Sequence, residues 1–154
     1  MDFPSLDDLK RETDTFFHRH WVTAEIGAAP PKWESSPSRF TGSIPNYNKG
    51  GCYALIEGGT VVYIGVGTRL GAGRYTEHGI SLRLLSHVIH PVGEGRHEPR
   101  ERWSSVTEIL TIGFDPGQTY LAPSLEDYLI GKLSPCSNSN KRRGTSASDQ
   151  EVLS

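Results

Sequence analysis

Six polar side chains have the types and spacing to do chemistry together: Tyr53, Tyr63, Arg83, His87, Glu126 and Asn138. Phenols and an imidazole move protons, a guanidinium offsets anionic charge, and a carboxylate holds a cation. Glu126 stands out by itself. Ala122-Pro123-Ser124 starts a helix in which Leu125, Leu129, Ile130 and Leu133 form the buried stripe, and Pro135 ends it. Glu126 falls inside that stripe, whereas Asp127, Tyr128 and Gly131 point away from it. An inward carboxylate is costly unless it meets a cation or a set of donors. A bound cation would satisfy Glu126, and so would a salt bridge to Arg83 or another arginine.

Arg83 and His87 sit one turn apart on the polar face of a second predicted helix, residues 81–89. Ile80, Leu82, Leu84, Leu85, Val88 and Ile89 fill its other side at about 100° per residue, and Pro91 stops it. The two tyrosines belong to a hairpin. Cys52 to Ile56 and Val61 to Ile64 are short β-rich runs separated by Glu57, Gly58, Gly59 and Thr60. Side chains alternate faces along a strand, so the loop length decides whether the phenols meet. A two-residue Gly58-Gly59 loop pairs Tyr53 with Ile64 and separates them. A three-residue loop of Glu57, Gly58 and Gly59 pairs Tyr53 with Tyr63 directly, and this odd loop is the expectation.

Other segments must hold these elements in place. Ser5 caps an N-terminal helix with Leu6, Leu9, Phe16 and Phe17 at helical spacing, ending near His20 or Trp21. His18 and His20 are two apart and splay, which argues against a metal site there. Residues 27–50 are rich in Pro, Ser, Gly and Asn but carry Trp33, Phe40, Ile44 and Tyr47, so an irregular arm lying across the domain is expected. Residues 66–79 form a glycine-rich loop that lacks the Lys-Ser/Thr ending of a phosphate-cradling loop. Residues 91–105 read as a charged loop. Val106 to Phe114 reads as a third strand with Val106, Glu108, Leu110 and Ile112 inward, and the tail beyond Ser137 is polar.

The chain of 154 residues is 35% hydrophobic and 22% charged with 17 Gly and 10 Pro, which favours one compact domain with long loops over a helical bundle. The expected fold is α+β: a small three-stranded, mainly antiparallel sheet flanked by helices. Residues 1–49 would form the N-terminal helix and extended arm packed on a core domain of residues 50–138, with 139–154 a polar tail. Cys52 and Cys136 are too few for a disulfide framework and are both taken as small buried hydrophobes. No early apolar run resembles a signal peptide and none is long enough to span a bilayer, so an intracellular, cytoplasmic protein is expected. The net charge of -2 argues against a general polyanion-coating protein, although residues 49–102 alone carry more basic than acidic groups.

Gly51-Cys52-Tyr53, then Tyr63-Ile64-Gly65, then Arg83 and His87, and finally Glu126, Leu129-Ile130, Pro135 and Asn138 form an ordered set. That set resembles the GIY-YIG nucleases over roughly residues 50–138. The R-x-x-x-H spacing and the long insertion after Gly65 are most similar to the small type II restriction endonuclease branch. Cys52 departs from the usual aliphatic of the first triplet, and Val66 stands where many members carry a lysine or a small polar residue.

The resemblance implies a Mg²⁺-dependent DNA endonuclease, able to use Mn²⁺, that hydrolyses phosphodiester bonds and is of restriction type. It implies Tyr53 as general base, Arg83 lowering the phenol's pKa and stabilising the transition state, and His87 orienting Tyr53 or relaying its proton. Tyr63 would bond the phosphate or the water, Glu126 would hold the metal, and Asn138 would fix Glu126 or the end of the domain. Double-stranded DNA is the implied partner, contacted by the arm and by Lys49, Arg69, Arg74, Arg96, Arg100 and Arg102. Cutting both strands with one site per chain implies a homodimer. Two other classes fit the residues: a DNA-binding module on the same fold that does not cut, and a hydrolase pairing Cys52 with His87.

Overall fold

A computed structural model describes residues 3–36, 40–68 and 78–138. Helix α1, Leu6–His20, starts where Ser5 forms a capping box: Asp8 N–H donates to Ser5 Oγ at 3.1 Å and Ser5 N–H donates to Asp8 Oδ2 at 2.9 Å. One helical turn follows, α2 (Thr23–Ile26), then a two-residue strand β1 (Glu34–Ser35). The hairpin strands are β2 (Gly50–Glu57) and β3 (Thr60–Gly67), and they lead to α3 (Gly79–His87). Strands β4 (Ile89–Gly93) and β5 (Arg96–Pro99) form a separate antiparallel ribbon. Strand β6 (Glu108–Phe114) returns to the main sheet before α4 (Leu121–Leu133).

The expected α+β class holds, with a larger sheet than the sequence suggests. The main sheet has four strands in the order β1-β6-β2-β3, all antiparallel. The extra strand comes from the Pro- and Ser-rich arm: Glu34 and Ser35 pair with Thr111 and Leu110. Two residues are too short to leave a period in the sequence. The arm also sends Phe40 and Ile44 into the interior, and Trp33 Nε1 donates to Thr13 Oγ1 of α1 at 2.8 Å.

Both faces of the sheet are covered. On one side Cys52, Ala54, Ile56, Ile64, Leu110, Ile112 and Phe114 pack against Leu9, Phe16 and Phe17 of α1 and Leu125, Leu129 and Ile130 of α4. On the other, Tyr53, Leu55, Val62 and Ile109 pack against Ile80 and Leu84 of α3, with Val88, Ile89 and Trp103. A strand buried on both faces loses its apolar-polar alternation. That is why the inward set expected for β6 holds only in part. Leu110 and Ile112 face one core, Ile109 the other, while Val106 precedes the strand and Glu108 is half-buried.

Three further expectations are corrected. The segment expected as a charged loop, residues 91–105, instead completes β4 and forms β5, turned at Gly93, Glu94 and Gly95, all with positive φ. Helix α3 has the expected nine residues but lies two positions earlier, ending at His87 so that Ile89 and Pro91 belong to β4. Its buried stripe is narrower than the periodicity suggests: Ile80, Leu84 and Val88 are buried one turn apart, whereas Leu82 is half-buried and Leu85 is 40% exposed. Cys52 is buried but Cys136 is exposed.

The hairpin loop is also not the odd one expected. Glu57 pairs with Thr60, leaving Gly58 and Gly59 as a two-residue turn with φ of 55° and 86°. Parity is restored further along. Leu55 pairs with Tyr63 and Ile56 with Val61, so Val62 is an extra, bulged residue. Val61 faces the α1/α4 core, and Val62 and Tyr63 both turn to the α3 side. Tyr53 therefore pairs with Gly65, and the two tyrosines share a face diagonally.

Replacing Gly58 or Gly59 by Ala is expected to cost about 1–2 kcal/mol each, because an L residue resists the left-handed region. Gly117→Ala, where an added Cβ meets nothing within 4 Å, is the control and should stay close to the unaltered protein. Urea unfolding midpoints measure both.

Candidate active site

The Tyr53 side chain is 1% exposed and lies across Gly65 on the neighbouring strand. A Cβ added to Gly65 would stand 2.5 Å from the Tyr53 hydroxyl, well inside any real contact, so only glycine leaves room for the ring. The Tyr63 ring is 6.2 Å from Tyr53, centroid to centroid, with a 34° tilt. Tyr63 is half-buried and also packs on Trp103 at 5.1 Å.

Helix α3 docks where two further glycines meet: a Cβ on Gly67 would strike the Gly79 carbonyl and come within 3.1 Å of Arg83 Cβ. This close approach brings Arg83 Cβ beside the sheet, while the residue as a whole remains exposed. Burial raises the Tyr53 pKa above the ordinary phenol value, and the neighbouring Tyr63 adds to the rise. A hydrogen bond and the positive charge of Arg83 act in the opposite direction without overcoming burial, and the Glu126 charge adds a smaller rise. Tyr53 thus senses Tyr63, Arg83 and Glu126 at once. The expected net depression of its pKa is not what the protein's own groups produce.

Glu126 is 7% exposed on the buried side of α4, as its place in the apolar stripe requires. After α4, Ser134 takes a left-handed conformation (φ 46°) ahead of Pro135, and the turn Cys136–Asn138 carries Asn138 to the sheet edge. Asn138 is fully buried. Its Oδ1 accepts from Ile64 N–H at 2.8 Å and its Nδ2 donates to Ile64 O at 3.0 Å. The amide imitates one residue of a missing strand along β3. Asn138 therefore clamps the residue between Tyr63 and Gly65, a positioning role.

His87 is exposed at the end of α3, one turn beyond Arg83. Its main-chain oxygen accepts from Trp103 Nε1 at 3.2 Å. The sheet keeps Cys52 away from it. Cys52 is fully buried on the α4 side, its thiol donating to Ala122 O at 3.2 Å, so a Cys52–His87 pair does not form.

The expected DNA contacts divide. Lys49 forms an ion pair with Asp115 at 3.2 Å inside a cleft of about 290 Å³ that also includes Asn48, Thr68 and Thr119. Arg100 donates to Leu85 O, and the Arg102 guanidinium covers Trp103 at 4.6 Å from the ring centre. Arg96 is exposed on the ribbon. Arg69, Arg74 and the tail after Asn138 lie outside the described residues.

Gly65 and Trp103 are the site residues that side-chain chemistry misses. Gly65 has no side chain to signal its role, and Trp103 is signalled only as a lone aromatic among Arg100, Glu101 and Arg102. Among the described residues, no three His, Cys, Asp or Glu gather as a metal-binding group, and no helix is long and apolar enough to cross a membrane. Compared with protein-family models, curated proteins and solved structures, the chain matches none.

The raised Tyr53 pKa has a stability consequence. An unfolded tyrosine ionises near pH 10, before the buried one. Its contribution is therefore fully present below that pH and is lost as the pH rises toward the folded value. Urea midpoints measured across about pH 10 should fall more steeply for the unaltered protein than for Tyr53→Phe.

Proposed function

We propose that the protein is a Mg²⁺-dependent endonuclease that hydrolyses DNA phosphodiester bonds, in the manner of the GIY-YIG nucleases its motif order resembles. The supporting observation is the Tyr63 ring 6.2 Å from that of Tyr53 on one face of the sheet, with the charges of Arg83 and of the buried Glu126 both acting on the Tyr53 hydroxyl. Tyr53 serves as general base, taking a proton from the attacking water. A phenolate formed in so buried a place is strongly basic, and Arg83 makes it attainable by setting a positive charge beside it. The same guanidinium offsets the charge that grows on the phosphorus oxygens. Tyr63 bonds the phosphate or the water from the same face, and exposed His87 passes the proton outward.

A single buried carboxylate suits Mg²⁺, which is bound through one or two carboxylates and keeps most of its waters. Glu126 would hold that ion, or Mn²⁺, and the bound ion supplies positive charge to the phosphate and the leaving oxygen. Double-stranded DNA is the proposed partner, cut at discrete sites by paired copies of the chain as in restriction-type enzymes. Arg96 of the ribbon, Arg69 and Arg74 are proposed contacts. Lys49 and Arg102 would reach DNA by exchanging the Asp115 and indole contacts they make here.

The 1% exposure of Tyr53 favours a second reading, a module that binds DNA without cutting it. Supercoiled plasmid separates the two. Cleavage should require Mg²⁺, stop with EDTA and fall by about a hundredfold or more in Glu126→Ala. Salt-sensitive binding with intact plasmid would establish the second reading instead, and undiminished cleavage by Glu126→Ala would sink the first. In a pH-rate profile, Arg83→Ala should move the rising limb to higher pH, since it removes the charge that lowers the Tyr53 pKa.

A further inference from the structure

Trp103 is buried, 4% exposed, in a short turn whose neighbours Arg100, Glu101, Arg102 and Ser104 are exposed. Its ring meets Tyr63 at 5.1 Å and 52°, and its Nε1–H donates to the main-chain oxygen of His87. The turn itself is tied to the end of α3: Arg100 N–H donates to Val88 O at 2.7 Å and the Arg100 guanidinium bonds Leu85 O. Tyr63 follows the bulged Val62 on an edge strand, where the ladder holds it least. One indole thus contacts both the Tyr63 ring and the last residue of the helix that carries Arg83.

We infer that Trp103 is a positioning residue that holds the Tyr63 phenol against Tyr53 and ties it to the end of α3. The Tyr63 ring packs on both the indole and the Tyr53 ring, and the hydrogen bond to His87 fixes the indole to the helix. The effect on catalysis rests on the nuclease reading; the positioning of Tyr63 does not. Trp103 differs in this from a DNA-contacting side chain, because its own effect falls on the chemical step, while any change in substrate binding passes through Arg102, which packs on the indole.

Fluorotyrosine incorporated at the six tyrosines reports the position directly, with the Tyr63 fluorine resonance assigned by its loss in Tyr63→Phe. In Trp103→Leu the Tyr63 resonance should shift and broaden. In Trp103→Phe, which keeps a ring without the N–H, it should move part-way, so this milder variant decides the matter if the other fails to fold. For plasmid cleavage in an Arg102→Ala background, where no guanidinium is released from the indole, Trp103→Leu should lower kcat about tenfold with KM unchanged. In the Tyr63→Phe background it should cost nothing further, as expected of two residues acting through one contact. A Tyr63 resonance that stays in place in either variant, or losses that multiply in the double variant, would overturn the inference. If the unaltered protein does not cut, the nuclease reading falls and the fluorine resonance alone still decides the role of Trp103.

Discussion

The Tyr53 ring crosses its neighbouring strand at a residue with no side chain, and that contact constrains much of what surrounds it. Gly65 must be glycine for the ring to lie flat. Tyr63 must turn to the same face, which a two-residue turn alone forbids and the Val62 bulge permits. Because β3 is an edge strand, Gly65 also needs support from outside the sheet, and Asn138 supplies it by bonding both polar groups of Ile64. The chain that follows α4 is thereby tied to the β2–β3 hairpin. Ser134 and Pro135 are the local means of bringing it there.

Burial of Tyr53 has two opposed effects. It excludes water and so strengthens every charge near the hydroxyl, but it also penalises the phenolate that a general base must become. Arg83 opposes the penalty, and the docking of α3 at Gly67 and Gly79 sets its position. Glu126 adds negative charge, which by itself works against ionisation. A cation held by Glu126 would reverse that sign, so the proposed metal and the proposed base are physically linked. Without the cation, the same groups describe a neutral, well-packed tyrosine.

Features with a strong local cause were legible in the sequence. Ser5 announced α1, the glycine pair announced the hairpin, and Glu126 was found in the apolar stripe of α4 because its neighbours left no other direction for it. Features set by tertiary contact were not. The bulge depends on Val62 and Tyr63 both finding room against α3, and nothing in the order Val61-Val62-Tyr63 states it. Strand β1 exists only because β6 offers an edge, and β4 and β5 lie in a run whose charges imitate a solvated loop. Leu85 fits the apolar period yet faces out, because the surface that α3 meets is narrower than the stripe. Asn138 was visible as a residue of the site, but its service to the β3 backbone was not, since that role depends on which strand ends the sheet.

Single-turnover plasmid cleavage by Gly65→Ala, at a temperature where the variant is folded, tests most directly whether this crossing governs the site. A methyl group there forces the Tyr53 hydroxyl aside while leaving Tyr53, Tyr63, Arg83, His87 and Glu126 chemically intact. Displacing a reacting group by about 1 Å can cost a hundredfold in rate, and a loss of about that size is expected. Cleavage by Gly65→Ala at the rate of the unaltered protein would show that the position of the Tyr53 phenol does not set the chemistry, and would contradict the account.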